Sequence, residues 1–229
     1  MQAVYHKLAD HLLEQYDALE AKESGSRLLI AIAGPPGSGK TTSTNQIAAI
    51  VNAQRKRNAP LAVVISMDGY HYPRTYLDAL PNREEAYLRR GAPWTFDAPS
   101  VVALVRSFRV PKEDIDVPTF DHAAKDPVPN GLLVPSTARI ILFEGNYLLV
   151  DETPWSEIRS LVDERWLFTV DEEAARQRVA KRHVASGIET NMTDALARVD
   201  ENDTLNGRYI MQHSRKVADI TIESVEDLV

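Results

Sequence analysis

The eight residues Gly34-Pro35-Pro36-Gly37-Ser38-Gly39-Lys40-Thr41 constrain this chain more than any other stretch. They match G-x-x-x-x-G-K-[ST] at every fixed position, and their neighbours supply the context such a loop requires. Upstream runs Leu28-Leu29-Ile30-Ala31-Ile32-Ala33, an unbroken apolar stretch that predicts a buried parallel strand. Downstream, residues 41–51 contain neither Gly nor Pro and predict a helix. A strand that turns through glycines into a helix N-terminus gathers backbone N–H groups into a nest for phosphate oxygens. There Lys40 would reach the β- and γ-phosphates and the Thr41 hydroxyl would bind Mg2+. A chance glycine-rich turn would not come with strand, loop and helix in this order. The chain is therefore expected to bind ATP through residues 34–42, from Gly34 to Thr42.

The rest of the chain alternates strands and helices. Apolar runs at 61–66, 140–145, 165–170 and 219–222 predict four more strands. Residues 4–20 carry Val4, Leu8, Leu12, Tyr16 and Leu19 at helical spacing. Asn82 with Glu85 reads as a capping box for a helix that stops at Gly91, and Asp97 with Pro99 opens another that runs to about residue 108. Helices are also predicted over 171–185 and 193–211. This order indicates an α/β fold: a doubly wound parallel sheet of about five strands with helices on both faces. One domain over 1–229 is expected, with 1–24 as an N-terminal amphipathic helix and linker. Pro111, Pro118, Pro127, Pro129 and Pro135 make 111–137 read as an irregular, surface-facing segment, the kind that carries binding residues.

A net charge of −7 argues against nucleic acid as the main partner. Cysteine is absent, which removes disulfides, thiolate metal sites and thiol nucleophiles. The N-terminus is charged without an apolar h-region, and no apolar run approaches the ~20 residues of a membrane span. A soluble, cytoplasmic protein with no membrane partner is expected.

Ligands of parallel α/β sheets lie beyond the carboxyl ends of the strands, where Asp68 and Glu144 fall. With Thr41 they form a set of hard oxygen donors suited to Mg2+ and ATP. For Glu144, which ends an apolar run before Gly145, the metal role outweighs that of an ordinary strand-end carboxylate. Asp68 has two compatible roles, binding the metal through water and accepting a proton from an attacking hydroxyl, and the alternative to both is a turn-forming Asp before Gly69. Arg176, Arg178, Lys181 and Arg182 form a cationic run in which the last three share a helix face. That face is either solvated or part of a helical lid over 171–190, hinged at Gly187, that offsets charge on a transferring phosphoryl group. The histidines, at 6, 11, 71, 122, 183 and 213, show no zinc spacing. His71 and His122, with neighbouring aromatics, suggest a polar and stacking pocket.

Taken in order, these pieces resemble the uridine kinase / phosphoribulokinase / bacterial pantothenate kinase family of P-loop small-molecule kinases. The carriers are Gly34–Thr41, Met67-Asp68-Gly69-Tyr70, Arg90-Gly91-Ala92-Pro93 with Phe96-Asp97, and Val117-Pro118-Thr119-Phe120-Asp121-His122. Phe143-Glu144-Gly145, the 176–182 run and Arg215-Lys216-Val217-Ala218-Asp219 complete a match over residues 27–222. The resemblance implies the P-loop NTPase fold, Asp68 as catalytic base beside Lys40, Glu144 with Thr41 on Mg2+, and Arg178 and Arg182 as lid cations. It implies a substrate pocket from Tyr70, His71, Arg90, Phe120 and His122. Gly91 stands where uridine kinases carry an acidic residue against the ribose, and Arg90 to Pro93 with Asp121-His122…Asp126 are closer to the pantothenate kinase side and to sugar or nucleoside kinase-like members of the family. The N-terminal helix is shorter than the extension of pantothenate kinases.

The expected reaction moves the ATP γ-phosphate to a hydroxyl of a small metabolite: a nucleoside, a sugar or a pantothenate-like compound. One alternative is a nucleoside monophosphate kinase, which has no need of a base such as Asp68. Another is a P-loop ATPase or switch acting on a protein partner, for which the guanine-reading Asn-Lys-x-Asp and an ABC-type Ser-Gly-Gly are both absent. A homodimer is the candidate assembly.

Overall fold

The computed structural model describes residues 1–110 and 113–225. The chain opens with α1 (Gln2–Lys22), whose Tyr5, Leu8, Ala9, Leu12 and Leu13 are buried as one stripe. β1 (Leu28–Ala33) is buried along its whole length and leads through the glycine loop into α2 (Lys40–Gln54). β2 (Ala62–Ser66) ends in a tight 3-10 turn, Met67–Tyr70. Three helices follow: α3 (Arg74–Asp78), α4 (Arg83–Leu88) and α5 (Ala98–Ser107), the last capped by Asp97, which accepts from the Ser100 N–H. β3 (Ile115–Asp121) and β4 (Asp126–Val134) pair as an antiparallel hairpin. Then come β5 (Ile140–Glu144), β6 (Glu164–Thr169), α6 (Glu172–Ala185), α7 (Met192–Arg198), α8 (Thr204–Ser214) and β7 (Ile220–Glu223).

The five central strands are parallel, in the order β2-β5-β1-β6-β7. Side chains of a strand alternate between faces, and each face has its own core. Leu28, Ile30 and Ile32 of β1, with Ile140 and Leu142 of β5, pack against α1 and α2. Leu29, Ala31 and Ala33, with Ile141 and Phe143, pack with Val101, Val105 and Phe108 on the other side. Burial on both faces is why these strands read as continuous apolar runs rather than alternating ones. Among the described residues, no helix is long and apolar enough to cross a membrane.

Three expectations need correction. Residues 115–134 of the proline-rich segment form the β3–β4 hairpin; Pro111 lies outside the described residues. Prolines are tolerated because both strands of a two-stranded ribbon are edges, and Pro118 sits where the register shifts between Val117 and Thr119. The helix expected over 193–211 is α7 and α8 joined by a π segment, Val199–Asp203. α4 ends at Leu88 rather than Gly91. Its Asn82 donates to the Glu85 side chain (3.0 Å) and makes no side-chain bond to the helix backbone.

Candidate active site

The glycine loop is shaped by its contacts with α6. Gly37 has φ +81°, and a Cβ there would stand 2.7 Å from the Ala175 carbonyl oxygen, so only glycine fits. Arg178 donates to the Gly37 carbonyl oxygen (3.2 Å) and to Ser224 Oγ (3.1 Å), tying the loop to α6 and to the end of β7. Ser38 Oγ is buried without a hydrogen-bond partner, and Gly39, at the N-cap of α2, offers no side-chain cap. A buried hydroxyl left unpaired, next to uncapped helical N–H groups, is the donor set that a phosphate group would satisfy.

The register of the sheet brings the strand-end groups to the same place. Glu144 pairs with Ile32 of β1 on one side and with Ser66 of β2 on the other. It is 3% exposed and accepts from Thr41 Oγ1 at 3.1 Å. Burial pushes its carboxyl above the usual range, Lys40 opposes this, Asp68 adds to it, and bonds from Ser66 and Thr41 pull it down. Lys40 is the counterpart: burial lowers its ammonium, Glu144 and Asp68 raise it, and Arg182 lowers it again. Asp68 lies in the 3-10 turn, with its N–H donating to Ser66 Oγ (3.3 Å). A buried carboxylate with a second carboxylate and a hydroxyl at hand fits a hard divalent cation such as Mg2+.

The opposite wall is built on the same turn. His71 Nδ1 donates to the Asp68 carbonyl oxygen (2.8 Å), which can only accept, so Nε2 is left with its lone pair. Its ring lies 3.9 Å from Phe96 and 4.8 Å from Phe120, and burial lowers its pKa, with Asp68 opposing. His122 meets Phe120 edge-on at 5.3 Å, and the Arg90 guanidinium lies 5.6 Å from the Phe120 ring centre.

A cavity of about 930 Å3 joins the two walls. It brings together Lys40, Thr41, Asp68 and Glu144 with His71, Arg90, Phe120, His122 and Arg182. Tyr70 does not line it. Its ring packs on the core, and burial beside Asp97 pushes the phenol up to about 12. Arg178 braces the loop instead of lining the cavity. Arg176 faces elsewhere, paired with Asp200 (2.6 Å) and Glu173 (3.4 Å).

Sequence reasoning missed His183, Arg198, Asn202 and Asp203, which also line the cavity. Asn202 donates to the Arg90 carbonyl oxygen (3.0 Å), and His183 Nε2 stands 3.7 Å from Asp203 Oδ2. Burial, with Arg182 and Arg198 nearby, lowers His183 to about 4. The available signal was the polar run Asp200-Glu201-Asn202-Asp203 inside a predicted helix, within what the structure forms as a π segment, a feature that gathers at functional sites.

The sequence model of the Phosphoribulokinase / Uridine kinase family matches residues 29–226. The chain belongs to that family. A Schizosaccharomyces pombe relative that carries a provisional uridine kinase name is 39% identical over 194 residues, covering 84% of this chain and 82% of its own. A solved protein from Silicibacter sp. TM1040, provisionally described as a fructose transport system kinase, is 30% identical with a TM-score of 0.80. That alignment covers 95% of this chain and 98% of the other. Saccharomyces cerevisiae YFH7 shares the fold, with a TM-score of 0.84 at 24% identity over 97% and 99% of the two chains. As a member of the phosphoribulokinase / uridine kinase family, the chain is a P-loop kinase for a small molecule.

Proposed function

We propose that this chain transfers the γ-phosphate of ATP to a hydroxyl group of a small metabolite. One observation carries the reading: Asp68 and the Thr41–Glu144 pair open into the same cavity as His71, Phe120 and His122. A triphosphate on the loop and an acceptor on the hairpin wall would therefore meet at Asp68.

Residues 34–42 hold the triphosphate through backbone N–H groups, Ser38 Oγ and Lys40. Thr41, Glu144 and Asp68 would hold Mg2+, which supplies charge neutralisation between the phosphates when bound. Asp68 accepts the proton as the acceptor oxygen bonds to the γ-phosphorus and the bond to the β-phosphate oxygen breaks, leaving ADP. His71 offers Nε2 to an acceptor hydroxyl, and Phe120 covers the body of the acceptor. Arg182 adds positive charge beside Lys40, Arg178 fixes the loop, and residues 171–190 act as the lid that excludes water.

The test is ATP turnover with Mg2+ across nucleosides, sugars, polyols and pantothenate. An acceptor that stimulates turnover and appears phosphorylated on oxygen supports the reading. Phosphate transferred to a nucleoside monophosphate, or hydrolysis unaffected by any acceptor, contradicts it.

A further inference from the structure

Arg90 and Gly91 line the cavity just past the end of α4. The Arg90 guanidinium donates to the carbonyl oxygens of Lys125 (2.6 Å) and Tyr72 (3.1 Å) and to Asp126 Oδ1 (3.3 Å), which ties this stretch to the turn between β3 and β4. Where Arg90 stands therefore sets where the hairpin wall stands.

The backbone of that stretch is held by α8 and the π segment before it. Arg89 Nη2 donates to Asn206 Oδ1 (3.2 Å), Asn206 Nδ2 donates to Asn202 Oδ1 (3.3 Å), and Asn202 Nδ2 donates to the Arg90 carbonyl oxygen (3.0 Å). The series starts and ends on consecutive residues, so it closes into a ring. A guanidinium only donates and a carbonyl oxygen only accepts, so each amide has one orientation. Both asparagines are buried, at 4% and 3% exposed, where an amide that loses its partner is costly. Arg89 Nη1 adds a second tie, to the Glu201 carbonyl oxygen (2.9 Å).

The residue after Asn206 packs on the nucleotide loop. A Cβ on Gly207 would stand 3.2 Å from Pro35 Cβ and 3.9 Å from Pro36 Cδ, so α8 and the loop meet there without an intervening side chain. Close-packed contacts of this kind pass on a displacement instead of absorbing it. The first turn of α8 thus touches the loop with one residue and holds the Arg89–Arg90 stretch with the residue before it.

We propose that Asn206 is a positioning residue that couples the two halves of the site: through the ring with Asn202 and Arg89, a nucleotide on the loop stiffens the hairpin wall for the acceptor. The inference rests on the phosphotransferase reading above, which puts the nucleotide on residues 34–42.

Amide hydrogen exchange of the full chain, with and without Mg2+ and the non-hydrolysable ATP analogue AMP-PNP, tests this. At the wall the reporters are the Arg89 N–H, bonded to the Glu85 carbonyl oxygen (2.7 Å), and the Ala92 N–H, bonded to that of Arg89 (2.8 Å). In wild type the analogue should slow exchange over residues 34–45 and, by about fivefold, over 89–92, the factor that one net hydrogen bond represents. Asn206→Asp keeps the oxygen that Arg89 needs and loses the donor to Asn202, and Asn202→Asp loses the donor to Arg90. Each should keep the response over 34–45 and lose it over 89–92. Arg89→Met opens the ring from its half-buried end and gives the same reading where an asparagine variant fails to fold. A ring with a structural role alone would speed exchange over 89–92 by the same factor with and without AMP-PNP. That result, or a response over 89–92 that is absent in wild type or survives in the variants, overturns the inference and leaves the phosphotransferase reading intact. No response over 34–45 in wild type removes the nucleotide from the loop, and both readings fall.

Discussion

Lys40 stands between two carboxylates, Glu144 and Asp68, with a guanidinium, Arg182, close enough to weaken its charge. In the proposed reaction its ammonium would be a donor to the transferring group, so Lys40→Ala should lower kcat by about 10²–10³-fold. Asp68→Asn keeps the shape of the turn and removes the proposed proton acceptor. It should cost about 10²–10⁴-fold in turnover, with ATP affinity from equilibrium titration little changed. His183 makes a different, pH-dependent prediction. Its pKa falls to about 4 in the folded chain, so on acidification the unfolded chain takes up the proton first. Its contribution to stability is therefore full above about pH 6.5 and is lost as pH falls toward about 4. Asp203, raised by its own burial, titrates in the opposite sense, because protonation relieves its buried charge. His183→Gln should flatten the acid limb of urea midpoints measured between pH 7 and pH 4.

Two elements position the cavity wall proposed for the acceptor, and neither was read correctly from sequence. The hairpin approaches the 3-10 turn so closely that a Cβ on Gly69 would lie 2.1 Å from the Pro118 carbonyl oxygen. Gly69→Ala should therefore displace the hairpin, costing about 1–3 kcal/mol in denaturant unfolding. It should also raise acceptor KM more than ATP KM in steady-state assays. The π segment holds Asn202 against the Arg90 carbonyl oxygen. Asn202→Ala leaves that oxygen without its donor, at a cost of about 1–2 kcal/mol by the same unfolding assay. Proline content hid the hairpin, because a two-stranded ribbon does not need the N–H groups that prolines lack. The π segment was hidden because it inserts a residue without a Gly or Pro to mark it, leaving only the polar run 200–203 as a signal. By contrast, the glycine loop, β1 and the Asp97 cap were legible, because each carries its signal within a few consecutive residues.

At the scale of the whole molecule, strand order makes the site. β1 lies between β5 and β6, so the loop leaving β1 emerges next to Glu144, and β2 on the far side of β5 brings Asp68 to the same end. The count and parallel arrangement of strands were legible as apolar runs separated by helices. Their order was not, because it depends on pairings between segments about a hundred residues apart, such as Ile32 with Glu144. Tyr70 illustrates the same limit. Its place in a motif suggested the pocket, but three-dimensional packing turned its ring to the core. The most direct test of the central claim is product analysis after incubation of wild-type protein and Asp68→Asn with ATP, Mg2+ and the acceptor panel. The account predicts ADP and a phosphorylated alcohol in equal amounts from wild type, and neither above background from Asp68→Asn. Equal ADP from both proteins, formed without any phosphorylated alcohol, would contradict it.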